Sequence, residues 1–278
     1  GLTGGVSATG QTAIAGNLSN PTNSVQTAIY TVTPSTSSCT GLPFTVTVTI
    51  NPKPFVTPRT DIICSGGTFT TTLTDGVPSS STIIPTGTTY SWSAPAAITG
   101  ISGLASGTSA SSISGTLTNS TNAPIDVVYT VTPTSGAAGN CVGASFTVTV
   151  TVNPKPTVTI TAGGATTFCA GGSVTLTSSA GSTYLWSNGA TSAIATGLLG
   201  GVYTVDVTDG NGCTINAVAN VNDIFGSTIT LNSSTDITCF GLNDGRINVS
   251  VSGGTLPYTY VWTKNGAPYT ANTGNPAN

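Results

Sequence analysis

Glutamate, histidine and methionine are missing from this 278-residue chain, and the charged residues are 8 aspartates and 5 lysines or arginines. Without imidazole, a serine or cysteine nucleophile lacks its usual activating base, and acid–base work would fall to aspartates alone. Two carboxylates lie close together only at Asp206 and Asp209. Five scattered cations and a net charge of -3 cannot track a phosphate backbone, which excludes nucleic acid as a partner. No apolar run approaches the roughly 20 residues of a membrane span, and Gly1 opens no signal peptide, so a targeting segment is expected outside these residues. A convincing helical period is also missing.

What is present is the vocabulary of strands and turns. Thr and Ser make up 88 residues, alongside 35 Gly and 16 Pro. Phe44, Val46, Val48 and Ile50 alternate with Thr45, Thr47 and Thr49, which sends one face to a core and a hydroxyl row outward. The same period runs from Phe146 to Val152. Further strands are expected at 68–74, 88–93, 127–132, 173–178, 183–187, 203–208, 228–232, 246–251 and 259–263. Pairs such as Asn188-Gly189 and Asn265-Gly266 punctuate them as hairpin turns. Short strands with frequent turns predict an all-β fold of sandwiches.

The chain also repeats itself. FTVTVTINPKP at Phe44–Pro54 returns as FTVTVTVNPKP at Phe146–Pro156, and YTVTP at Tyr30–Pro34 returns at Tyr129–Pro133, with offsets of 102 and 99. Such self-similarity marks tandem modules of about a hundred residues. Residues 1–54 read as the closing part of one long module and 55–156 as a complete one. A shorter module is expected at 157–222, and a fourth begins at 223 and runs to 278. Asn51–Pro54 and Asn153–Pro156 should be extended, semi-rigid connectors, because proline fixes φ and restricts its predecessor. The junction near Val221–Phe225 has no proline, so strand continuity or a different bend is expected there. The array should be elongated.

Each module places a cysteine near its start and an aromatic strand after it: Cys64 before Tyr90–Ser93, Cys169 before Tyr184–Ser187, Cys239 before Tyr260–Thr263. A second cysteine comes late, at Cys39, Cys141 and Cys213. Six cysteines allow 15 pairings. The repeat logic selects Cys64 with Cys141 and Cys169 with Cys213, leaving Cys39 and Cys239 without partners in these residues. Zinc is disfavoured by the absence of His and of any CxxC pair, and disulfides point to an oxidising, exported setting. Trp92, Trp186 and Trp262 are expected in the cores, packed near the staples, and not on a sugar-stacking surface. Tyr30, Tyr129 and Tyr203 should face inward with their hydroxyls on backbone partners.

Metal chemistry has one thin candidate. Asp206, Asp209 and Asn211 could offer oxygen ligands to Ca²⁺, but Asp209–Gly212 reads first as a hairpin turn; Asn243 and Asp244 raise the same question with less support. The N-x-S/T patterns at Asn17, Asn119, Asn232 and Asn248 arise readily from so much Ser and Thr and carry little weight as glycosylation sites.

Cys239-Phe240-Gly241, Asn243-Asp244-Gly245 and the run Val251–Trp262, VSGGTLPYTYVW, together resemble the SprB repeat of giant gliding-motility adhesins. The run Gly201–Cys213, GVYTVDVTDGNGC, is similar to the closing segment of the same repeats, although Cys169-Ala170-Gly171-Gly172 departs from their CFG opening and looks more like a bacterial Ig-like module. The two long modules resemble PKD-like domains of such proteins. The resemblance implies a large, repetitive, non-catalytic cell-surface adhesin, exported by a type IX system and carried by the gliding machinery. Its neighbouring modules would then be its first partners, with no cofactor. On this reading the chain is a stiff stalk for surface attachment. The alternative is a set of polysaccharide-binding accessory modules of a secreted protein, and an enzyme comes third.

Overall fold

Alternation of valine and threonine over Phe146–Asn153 builds the central strand of a sandwich, with Phe146, Val148, Val150 and Val152 each at most 4 % exposed. The computed structural model describes residues 1–242, 244–254 and 256–269, and among these there are strands, turns and loops but no helix. They form two compact units, Gly1–Pro156 with Asn211–Cys213, and Thr157–Gly210 with Thr214–Asn278.

In the first unit, β1 Thr3–Gly4 and β2 Leu18–Ser19 pair with each other, and β3 Gln26–Val32 pairs with β4 Phe44–Ile50. The second copy of the repeat is fuller. It comprises β5 Arg59–Cys64, β6 Gly67–Thr71, β7 Thr89–Trp92, β8 Ile101–Ser102, β9 Gly107–Ala110, β10 Ile113–Asn119, β11 Ile125–Thr134 and β12 Phe146–Asn153. A five-stranded sheet, β5-β12-β11-β7-β9, packs on a three-stranded one, β6-β10-β8. Phe69 of one sheet meets Tyr129 of the other with ring centroids 5.4 Å apart. Every pairing is antiparallel except β5 with β12, which run parallel.

The two copies share a register but not an environment. Tyr30 faces Val46 as Tyr129 faces Val148. Yet Phe44 is 53 % exposed where Phe146 is 4 % exposed, because β6-β10-β8 covers the second face and only the β1–β2 pair accompanies the first. Burying each such side chain stabilises by about 1.5–3 kcal/mol, so the second copy holds most of this unit's hydrophobic stabilisation.

The connector at Asn51–Pro54 is docked against the second copy. Pro52 and Pro54 are buried, Phe55 and Ile83 exchange backbone hydrogen bonds of 2.9 and 2.8 Å, and Asn51 Nδ2 donates to the Ala138 carbonyl. Asn23 Nδ2 donates to Asp75 at 2.7 Å across the same junction.

The second unit repeats the design with fewer residues. Its strands are β13 Ile160–Ala162, β14 Thr167–Cys169, β15 Val174–Ser178, β16 Thr183–Trp186, β17 Ile194–Leu198, β18 Gly201–Thr208 and β19 Thr214–Ile224. Sheet β14-β19-β18-β16 follows the order of β5-β12-β11-β7, parallel first pair included. It packs on β13-β15-β17 around Leu176, Trp186, Val205 and Val207. β19 carries the strand through Val221 to Ile224, and Phe225–Ser227 leads into β20 Thr228–Thr235, which pairs with β21 Arg246–Ser252 and is exposed along its whole length. The last hairpin, β22 Trp262–Lys264 and β23 Ala267–Tyr269, turns at Asn265-Gly266, both with positive φ as a two-residue hairpin loop requires. The strand expected at 259–263 therefore begins only at Trp262.

Candidate functional site

The chemistry-bearing residues gather at two opposite poles of the repeat. Because β5 lies parallel to β12, Cys64 falls opposite Asn153, at the end where the chain leaves the sandwich. Ser65 follows at once: its N–H donates to Asn153 O (2.7 Å), and its hydroxyl bridges Asn119, donating to that carbonyl at 3.0 Å and accepting that N–H at 2.9 Å. Asn119 is 5 % exposed and fully engaged. Its Nδ2 donates to Ala123 O and Val152 O, both 2.8 Å, while Oδ1 accepts from Thr121 N (2.9 Å) and Thr121 Oγ1 (2.7 Å). The first copy repeats this clamp bond for bond. Asn20 Nδ2 donates to Ser24 O at 2.8 Å and Ile50 O at 2.9 Å, and Oδ1 accepts from Thr22 at 3.0 and 2.7 Å. Sequence reading missed this clamp, taking Asn119 for a chance sequon; the signal was an Asn-x-Thr ahead of a strand in both copies.

The opposite pole is the loop between β11 and β12. Ser135 N–H donates to Cys141 O at 3.0 Å, Thr134 bridges Val142, and Gly143 N–H donates to Pro133 O at 2.8 Å. Cys141 is half-buried there.

The disulfide arrangement corrects the expected one. The bond joins Cys64 to Cys213, with Cα atoms 5.5 Å apart, while Cys141 and Cys169 are free thiols, as are Cys39 and Cys239. Strand register explains why. Ile125 pairs with Val152, beside Cys64, while Thr134 pairs with Val142, beside Cys141. Nine strand residues separate the two levels, about 30 Å at 3.3 Å per residue, where a disulfide needs Cα atoms within about 7 Å. In the shorter repeat Cys169 pairs with Ile224, and Cys213 precedes Thr214 at the far end of the same strand, again about 30 Å away.

Trp186 is 1 % exposed with Nε1 donating to Ser192 O at 3.0 Å, and Trp92 is 9 % exposed with Nε1 donating to Ala105 O at 3.1 Å. Trp262, expected in a core, is only half-buried, because β22 has β23 as its one strand partner among the described residues. Tyr129 is buried and Tyr203 Oη donates to Leu199 O at 3.1 Å, whereas Tyr30 is half-exposed on the face that β6-β10-β8 covers in the other copy. Burial raises the Tyr90 and Tyr129 hydroxyls above their ordinary value, with Arg59 pulling Tyr90 partly back.

Asp206 accepts from Asn216 Nδ2 at 2.8 Å on the β18–β19 face. Among the described residues no three Cys or Asp side chains gather as a metal site. Asp244 accepts from the Thr238 hydroxyl and, at 3.3 Å, from its N–H, and these bonds hold its carboxyl below the usual range. Asn243 lies outside the described residues.

Open depressions also occur among the described residues. One, about 560 Å³, is lined by Ser91, Ser93, Thr130 and Thr132 with Trp92 and Pro95. Another, about 220 Å³, is lined by Tyr258 and Tyr260 with Ser227, Ile229 and Thr259. Among the described residues lining them there is no Asp, Cys, Lys or Arg.

Residues 1–54 and 61–156 match the PKD-like domain, and residues 231–267 match the SprB repeat. No curated protein matches. Among solved structures, an amphioxus IgVJ-C2 molecule is 14 % identical, covering 58 % of this chain and 99 % of its own, at a TM-score of 0.22. Murine CEACAM1b is likewise 14 % identical, covering 59 % and 96 %, also at 0.22. At that score neither bears on function.

Proposed function

Since the chain belongs to the PKD-like domain family and closes on a SprB repeat match, we propose that it is a non-catalytic stalk segment of a large cell-surface adhesin. The families matched are typically non-catalytic and suggest an extracellular or cell-surface protein. The finer reading is ours: modules at 1–54, 55–156, 157–222 and 223–278, a role in gliding, and export by a type IX system. One observation carries the stalk reading. Pro52 and Pro54 are buried and Asn51 is hydrogen-bonded to the Ala138 loop, so the connector between the two long copies is held and does not act as a loose tether.

The test is replacement in the whole surface protein. Exchanging this segment for an equal length of unrelated sandwich modules should leave surface attachment intact, whereas lost attachment would favour specific binding. A second reading, polysaccharide binding, draws on the paired Tyr258 and Tyr260 around an open depression, since aromatic faces stack on sugar rings. A glycan array on the whole chain decides it: binding abolished by Tyr260→Ala would replace the stalk reading.

A further inference from the structure

Cys141 and Cys213 occupy the same place in the fold. Both sit in the connection between the two antiparallel strands that centre their sheet, β11–β12 in one case and β18–β19 in the other. Cys64 and Cys169 are equivalent as well. Each ends the strand that runs parallel to the last one, opposite Asn153 and Ile224, and each is followed by Gly66 or Gly171 at positive φ. The bond found, Cys64–Cys213, therefore joins an early cysteine of one repeat to the late cysteine of the next.

The junction between the first two copies has the geometry for the same link. Asn51 is the counterpart of Asn153, the residue opposite Cys64. Its side chain donates to Ala138 and lies against Gly139, in the loop that carries Cys141. The pole on which an early cysteine sits is thus docked on the pole that carries the late cysteine of the following copy.

We propose that these cysteines form a stagger of inter-repeat disulfides, early cysteine of one repeat to late cysteine of the next, and that Cys141 is a half-link awaiting the early cysteine of the repeat before it. The same rule gives Cys39 a partner in a preceding repeat and Cys169 and Cys239 partners in following ones. Each bond forms by oxidation of two thiols, losing two protons and two electrons to a thiol oxidant of the exported compartment. This goes beyond the stalk reading and does not depend on it.

The test inserts a second copy of Phe55–Pro156 directly after Pro156 in the full chain, so that each new junction repeats the native Pro-Phe or Pro-Thr joint. The inserted copy carries Thr70→Ser, which marks its Cys64 peptide by mass, and the chain carries Cys169→Ser, so that Cys141 is the one cysteine of the inserted copy's peptide. Non-reducing Asp-N mapping then separates the outcomes, because the original Cys141 peptide ends in the inserted copy while the inserted Cys141 peptide continues to Val205. The expected result is one Cys64 peptide linked to the inserted Cys141 peptide, the other linked to the Cys213 peptide, and the original Cys141 alkylated. A Cys64–Cys141 bond within either copy, or an inserted Cys141 that alkylates, overturns the proposal. Cys213→Ser in the unmodified chain gives an independent reading: Cys64 and Cys141 should both alkylate, and a bond between them would equally overturn it.

Discussion

Asn119 shows how one side chain can decide a local structure. Both of its amide hydrogens and its oxygen are engaged within a buried pole, so alanine there strands the Val152 and Ala123 carbonyls and the Thr121 N–H. Asn119→Ala should cost about 2–3 kcal/mol in urea denaturation. Asn119→Asp should cost at least as much at neutral pH, because a carboxylate cannot donate to either carbonyl. An equal-to-wild-type midpoint for both variants would remove the clamp from the account. Asp244 behaves as an ordinary depressed carboxyl: its bonds to Thr238 are kept above the usual carboxylate value and lost as pH falls through its lower folded one. The clamp escaped sequence reading because Asn-x-Thr has two physical meanings, and composition favoured the trivial one.

Strands and turns were legible in proportion to their alternation. Phe44–Ile50 and Phe146–Asn153 follow directly from period two, and Asn265-Gly266 turns as such a pair should. β19 was implied by the Asp209–Gly212 turn but not delimited as a strand, because Ala217, Ala219 and three asparagines blur its period over 11 residues. β5 was not read either, since Arg59 and Asp61 make it look like connector, and its parallel pairing leaves no local trace. That single strand is why the disulfides were misassigned: repeat logic identified equivalent cysteines but not the ends of the sheet on which they lie.

Packing within the elements gives a further prediction. A Cβ on Gly107 would stand 2.3 Å from the Trp92 ring, so Gly107→Ala should destabilise the long sandwich by about 1–3 kcal/mol, read as a lowered melting temperature. Tyr90 and Tyr129 set its alkaline limit. Their hydroxyls are raised in the fold, so stability is complete below the unfolded tyrosine value near 10 and declines as pH climbs through the higher folded values. A pH-jump unfolding curve flat through pH 12 would contradict that.

For the whole molecule the Cys64–Cys213 bond is the dominant constraint. It spans 149 residues, which on the chain-entropy model stabilises by about 5 kcal/mol. Asp-N digestion without reductant should release Asp61–Thr74 linked to Asp209–Asn222, and reductant should part them and lower the denaturation midpoint. Linkage of Asp61–Thr74 to Cys141 within the Asp126–Val205 peptide, with the Cys169 of that peptide alkylated, would instead restore the intra-repeat pairing.

The parallel partnership of β5 and β12 also fixes how the long sandwich meets tension. First and last strands lie side by side and point the same way, over six paired residues from Arg59–Val148 to Cys64–Asn153. Once Cys64–Cys213 is reduced and no longer carries the load past residues 65–212, a pull on the two ends of that repeat drags these strands past each other in shear, straining the whole ladder at once, where a hairpin pulled from one end would unzip bond by bond. In the shorter repeat only three residues of β14 pair with β19, so under the same reducing conditions its clasp should rupture before that of β5 and β12 in an optical-trap ramp.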